Sequence, residues 1–311
     1  MKMPFASCAL VVLVAASCSA APGSGGSPGP TSAPGGSSGA SPAASASAGV
    51  AHPSGDGDLV LRISTDGGFV APGQVLTRIP EFSLYGDGTV VTVGPQIAIY
   101  PAPALPNLQR QRVSEAGVQR ILEAAREAGL FGVDRQIDFP GIMDAPWTAF
   151  TLVADGATHV TRVYAMGASE AVPGSSSGAG VARRALAELR AKLTALDVWL
   201  AADLRGAQSS YPITRLRVYV DVYQPQAGTA DPSPGYLQWP GTQPLDTIGT
   251  AVAGLPATRC AVLEGDALAA VLPALQQANG LTGWKSGGQT WALRLRPLLP
   301  DEAGCAGPAQ D

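Results

Sequence analysis

A chain of 311 residues, 46% of them hydrophobic and only 14% charged, can bury one large core or two smaller ones, since domains run to roughly 100 to 200 residues. The net charge of -4, with only three lysines (Lys2, Lys192 and Lys285), supplies no basic stripe for a phosphate backbone and argues against nucleic-acid binding. Two histidines and the available cysteines make no zinc set, and Asp56-Gly57-Asp58 lacks the further spaced oxygens of a calcium loop, so no metal and no cofactor is expected.

The N-terminus carries one positive charge at Lys2 and an apolar run from Ala9 to Ala16. That run is far short of the ~20 apolar residues that span a bilayer, and residues 1–17 read as an export signal. Ala15-Ala16-Ser17-Cys18 resembles a bacterial lipobox, although Leu is usual where Ala15 stands. The resemblance implies that Cys18 is acylated and becomes the mature N-terminus, which makes the membrane a partner through the lipid. Cleavage just beyond Cys18, giving a secreted protein, is the alternative. Residues 18–57 are almost wholly Gly, Ser, Pro and Ala, a composition that reads as a disordered tether with a span on the order of 35 Å. His52 falls in this tether and is expected to be solvated.

Order is expected from Asp58. Leu59, Leu61 and Ile63 alternate with Val60, Arg62 and Ser64 as in a half-buried strand. Hairpins follow at 81–93 and 150–164, each turning on an Asp-Gly pair whose backbone is expected to take positive dihedrals, and they share a Phe-x-Leu-x-x-Asp-Gly frame. Between them Ser114 caps a helix carrying Val118, Ile121, Leu122 and Ala125, with Gly129 as terminator. A longer helix over 180–204 places Val181, Ala185, Leu189, Leu193, Leu196 and Leu200 on one stripe and Arg183, Glu188 and Lys192 on the other side. A strand from Arg215 to Tyr223 turns Leu216, Val218, Val220 and Val222 one way and Arg215, Arg217, Tyr219, Asp221 and Tyr223 the other. A helix from Asp266 to Ala278 contains Pro273, which predicts a kink, and a last strand spans Trp291 to Arg296.

Hairpins separated by lone helices, without strand-helix-strand alternation, define an α+β fold: antiparallel sheet with helices packed on one face. The division expected is 58–205 and 206–311, with 58–311 as one domain the alternative. With Cys8 removed and Cys18 acylated, Cys260 and Cys305 remain as an even pair in a compartment where disulfides persist, and they are expected to bridge. Two buried free thiols are the alternative.

The stretch 80–88, the helix at Ser114 and the segment Arg294-Leu295-Arg296-Pro297-Leu298-Leu299-Pro300-Asp301-Glu302 together resemble uncharacterised actinobacterial exported lipoproteins, over most of the chain after Gly57. The resemblance implies a Gram-positive envelope location and brings no catalytic residues with it.

Candidate chemistry is sparse. Gly174-Ser175-Ser176-Ser177-Gly178 formally matches a nucleophile elbow at Ser176, but a loose Ala/Gly/Pro loop precedes it and no histidine follows. Glu81, Asp138, Asp144 and Asp221 cannot be paired as glycosidase carboxylates from sequence. Binding is better motivated. Tyr236 and Trp239 in a Pro/Gly-rich stretch, and Trp284 beside Lys285, suit an envelope protein or glycan surface. Arg217 and Tyr219, if neighboured by Arg294 and Arg296, would make a face that grips an acidic or peptide ligand, whereas a solvated strand face is the plainer reading. The function expected is a surface-anchored, non-enzymatic binding module; an envelope hydrolase using a carboxylate or Ser176, and a structural envelope spacer, are the alternatives.

Overall fold

The structure is a computed structural model describing residues 49–167, 178–225 and 235–305. Cys18, the tether up to residue 48 and Ser176 lie outside the described residues. In chain order the first half contains β1 (Leu59–Gly67), α1 (Pro72–Val75), β2 (Phe82–Tyr85), β3 (Thr89–Val93), β4 (Leu108–Arg112) and α2 (Glu115–Glu127). It continues with β5 (Arg135–Ile137), β6 (Pro146–Ala154), β7 (Ala157–Tyr164), α3 (Gly178–Thr194), α4 (Leu196–Trp199) and β8 (Ser209–Ser210). The second half contains β9 (Arg215–Val222), β10 (Tyr236–Gln238), β11 (Thr250–Val252), β12 (Leu255–Glu264), α5 (Gly265–Gln277), β13 (Gly283–Ser286) and β14 (Gln289–Pro297).

The fold is α+β. An eight-stranded sheet has the order β5-β7-β6-β1-β2-β3-β4-β8 and a six-stranded sheet the order β10-β13-β14-β9-β12-β11. Pairing is antiparallel except at two edges, β5 with β7 and β10 with β13. The two hairpins sharing a Phe-x-Leu-x-x-Asp-Gly frame flank β1 in the same register: Leu61 faces both Leu84 and Leu152, and Ile63 faces both Phe82 and Phe150. A common neighbour strand thus accounts for the common apolar frame. The turns differ. Asp155 and Gly156 both take positive φ, whereas at the first turn only Gly88 does, and its N–H donates to the Tyr85 carbonyl at 2.9 Å to close the turn.

Helices cover one face of each sheet. Ser114 caps α2 by accepting from the Gly117 N–H, and Val118, Ile121, Leu122 and Ala125 pack with Leu61, Ile63, Phe82 and Phe150. A bulge between Leu59 and Leu61 turns Val60 into this core as well, breaking the alternation expected for β1. On the second sheet α5, which includes Pro273, lays Leu268, Val271 and Leu275 over Leu216, Val218 and Val220.

Three expectations need correction. The helix expected over 180–204 ends at Thr194, because Ala195 leaves helical geometry at φ -132°, and a separate turn, α4, follows. Its stripe is also rotated: Val181 is 52% exposed while Arg183 is buried, its guanidinium donating to the carbonyls of Ile137, Tyr164 and Ala165. Finally, packing already takes in residues ahead of Asp58. Val50 is buried and bonded to Gln119, Ala51 exchanges bonds with Asp155, and the His52 side chain is only 8% exposed, bonded to the Pro53 carbonyl and Glu115. These residues are a fastened lead-in segment, not part of a solvated tether. The described residues fall within one compact unit.

Candidate functional site

The face of β9 that alternation turns away from α5 is not solvated. Arg217 and Arg296, directly paired across β9 and β14, are each 1% exposed, and Tyr219, paired with Arg294, is fully buried. They are covered by the segment after β14, residues 298–305, which lies between the helix-free faces of the two sheets. Leu299 packs there with Tyr85, Val91 and Leu108 of the first sheet.

Polar groups fasten this segment on both sides. Arg62 on β1 donates to both Asp301 oxygens at 2.9 and 2.7 Å, and the Tyr85 hydroxyl donates to Asp301 at 2.8 Å. Arg296 donates to both Glu302 oxygens at 2.5 Å and to the Arg78 carbonyl at 2.8 Å. Arg215 binds three backbone carbonyls, those of Leu299, Pro300 and Glu302. Arg217 donates to the Gly304 carbonyl at 2.8 Å. Beside it Cys260 and Cys305 form a disulfide with 5.9 Å between Cα atoms.

The electrostatics follow from this geometry. Burial acts to raise the pKa of Asp301 and Glu302, but the guanidiniums of Arg62 and Arg296 outweigh it and hold both below the ordinary carboxylate range. Burial pushes the Tyr85 hydroxyl well above the usual tyrosine range, so it remains a donor to Asp301. This cluster contains charge pairs and carbonyl clamps and no positioned nucleophile. Its chemistry is that of a polar seam: the acidic peptide that the arginine face grips is the chain's own C-terminal segment.

The other sequence-selected residues divide. Trp284 is buried and meets Trp239 edge-on at 5.8 Å, both belonging to the core of the second sheet. Trp239 donates to the Gln243 carbonyl and also lines a cavity of about 210 Å³ with Ile248, Leu263 and Ala270. Arg294 pairs with Asp221, which also accepts from Thr258, and Glu81 pairs with Arg190 at 2.6 Å. Asp221 and Glu81 are therefore each neutralised by an arginine. His159 bonds the Gly132 carbonyl. Among the described residues, no group of three or more His, Cys, Asp or Glu side chains is placed to hold a metal.

Tyr236 remains at the surface, 50% exposed. Its ring lies over the backbone of Gly283, where an added Cβ would come within 2.8 Å of the ring. Tyr223 meets it edge-on at 5.8 Å, and the Lys285 ammonium stands 5.5 Å from the ring centroid. This platform of two tyrosines and one lysine draws Tyr236 and Lys285 from the paired strands β10 and β13, and Tyr223 from just past the end of β9. Sequence reading found Tyr236 but missed Tyr223 and Lys285 as its companions, because the parallel pairing of β10 and β13 leaves no local signature. It likewise missed Arg62, Tyr85, Asp301 and Glu302; the signal was Arg296 followed six residues later by Glu302 across a Pro-Leu-Leu-Pro turn.

Comparison with protein-family models, with curated proteins and with solved structures returned no match.

Proposed function

We propose that the protein is an exported, lipid-anchored binding module on the outer face of a Gram-positive-type cytoplasmic membrane, engaging an envelope protein or glycan through Tyr223, Tyr236 and Lys285. The observation that carries the binding reading is the platform itself: two adjacent tyrosines, Tyr236 on β10 and Tyr223 just past the end of β9, the first half-exposed with a cation over its ring. Preordered aromatic surface of this kind supplies contact area at low entropic cost and suits stacking on a sugar ring or an apolar side chain. The lipobox-like Cys18 supports the anchor. The Cys260–Cys305 disulfide agrees with an extracytoplasmic compartment, and among the described residues no helix is long and apolar enough to cross a membrane.

Two experiments test the two parts. Wild-type protein should partition with membranes and Cys18→Ala should appear unprocessed or in the soluble fraction; identical partitioning removes the anchor. Pull-down from envelope fractions and glycan screening should give a saturable partner whose binding falls at least tenfold in Tyr223→Ala/Tyr236→Ala. Undiminished binding by that variant removes the platform. No saturable partner leaves the spacer reading, and turnover of ester, peptide or glycan substrates lost in Ser176→Ala would replace binding with hydrolysis.

A further inference from the structure

Arg217 is 1% exposed and carries a guanidinium with five N–H donors. Its Nε donates to the Gly304 carbonyl at 2.8 Å and its Nη2 reaches the Ala303 carbonyl at 3.4 Å, while Nη1 has no acceptor. No carboxylate of the described residues lies within ion-pair distance of it. Those nearby are engaged: Asp301 with Arg62 and Tyr85, Glu302 with Arg296 and the Leu299 N–H, Asp221 with Arg294 and Thr258.

Two further groups on the same face are buried without a partner. One is the hydroxyl of Tyr219, two residues along β9 from Arg217 and on the same side of the sheet; the other is Nε of Arg294, on the residue paired with Tyr219. Tyr219 is also paired with Cys260 on β12, and the disulfide brings Cys305, next to Gly304, over this spot. Three buried polar atoms without a partner therefore belong to neighbouring positions of one sheet face, beside the disulfide that holds the end of the C-terminal segment. An uncompensated guanidinium buried without counter-charge is among the costliest arrangements a protein interior can hold, and water satisfies its hydrogen bonds without neutralising it.

We infer that a small inorganic anion of halide size is bound here, accepting from Arg217 Nη1 and the Tyr219 hydroxyl and enclosed by residues 303–305. An anion so enclosed binds the folded state and not the unfolded chain, so its concentration sets stability by mass action. At constant ionic strength, with a bulky organic anion making up the balance, the Tm of the purified protein should rise by roughly 3 °C for each tenfold increase in chloride above half-saturation. Tyr219→Phe, which removes one hydroxyl and keeps the ring, should raise the half-saturating chloride concentration by roughly tenfold or more. Bromide-soaked crystals of the wild type should show an anomalous peak within hydrogen-bond reach of Arg217 Nη1. A Tm that follows ionic strength whatever the anion would overturn the site. So would bromide crystals showing only an ordered water beside Arg217.

Discussion

Glu302 and Arg296 form a pair in which neither partner retains appreciable access to water, with both carboxylate oxygens engaged at 2.5 Å. Breaking such a pair from one side leaves an uncompensated charge in the interior, at a cost of about 3–5 kcal/mol. Glu302→Gln is therefore expected to lower the unfolding free energy by that amount in urea titration. The pH dependence has a definite sign. The native pKa values of Asp301 and Glu302 lie below those of the unfolded chain, so their contribution is complete above the ordinary carboxylate range and disappears as pH falls through it toward the native values. Tm should hold from neutrality to about pH 5 and fall below it; Asp301→Asn/Glu302→Gln should start lower and show a shallower acid limb. An acid limb of unchanged steepness in the double variant would place the acid sensitivity elsewhere. Gly249 is a second residue-scale test. It takes φ +59°, and a Cβ there would sit 1.8 Å from the Cys260 carbonyl oxygen, so Gly249→Ala must push β11 from β12.

The segment after β14 has no secondary structure of its own, and its order comes from what it touches. Leu298 and Leu299 are buried, four arginines hold its carbonyls and carboxylates, and the disulfide fixes its end to β12. The bridge closes a loop between cysteines 45 residues apart, which in the chain-entropy description contributes about 4 kcal/mol. Reduction should lower stability by up to that amount and release hydrogen-exchange protection first in residues 298–305 and β12. Thiol titration of the unfolded, unreduced protein should find neither Cys260 nor Cys305 free. Two reactive thiols would contradict the bridge. Elements written by local chemistry were legible in the sequence: the Ser114 cap, the Gly129 stop, both hairpins, and the inward set of β9. What escaped depended on distant partners. Arg183 reads as a solvated helix residue because the carbonyls that accept its hydrogen bonds come from β5 and from the end of β7. The arginine face of β9 reads as solvated because period-two alternation reports two faces and not what covers the second. Val60 reads as outward because a bulge leaves no mark in a single strand's sequence.

At the scale of the molecule, two sheets each carry helices on one side and meet through their polar sides. A second connection runs from the loop after β3: Ala102 and Ala104 bond to Gly280 and Ala278 at the end of α5, and Leu105 packs on the second core. The seam and this loop tie the Tyr223–Tyr236 platform to the first sheet. The central claim is that the arginine face of the second sheet is interior. Arginine-selective modification of the native protein with phenylglyoxal, mapped by mass spectrometry, tests it most directly. Arg112 and Arg120, with side chains 59% and 49% exposed, should be labelled readily, while Arg217 and Arg296 stay unlabelled until the protein is denatured. Labelling of Arg217 and Arg296 in the folded protein at the rate of Arg112 and Arg120 would contradict the seam and return that face to solvent.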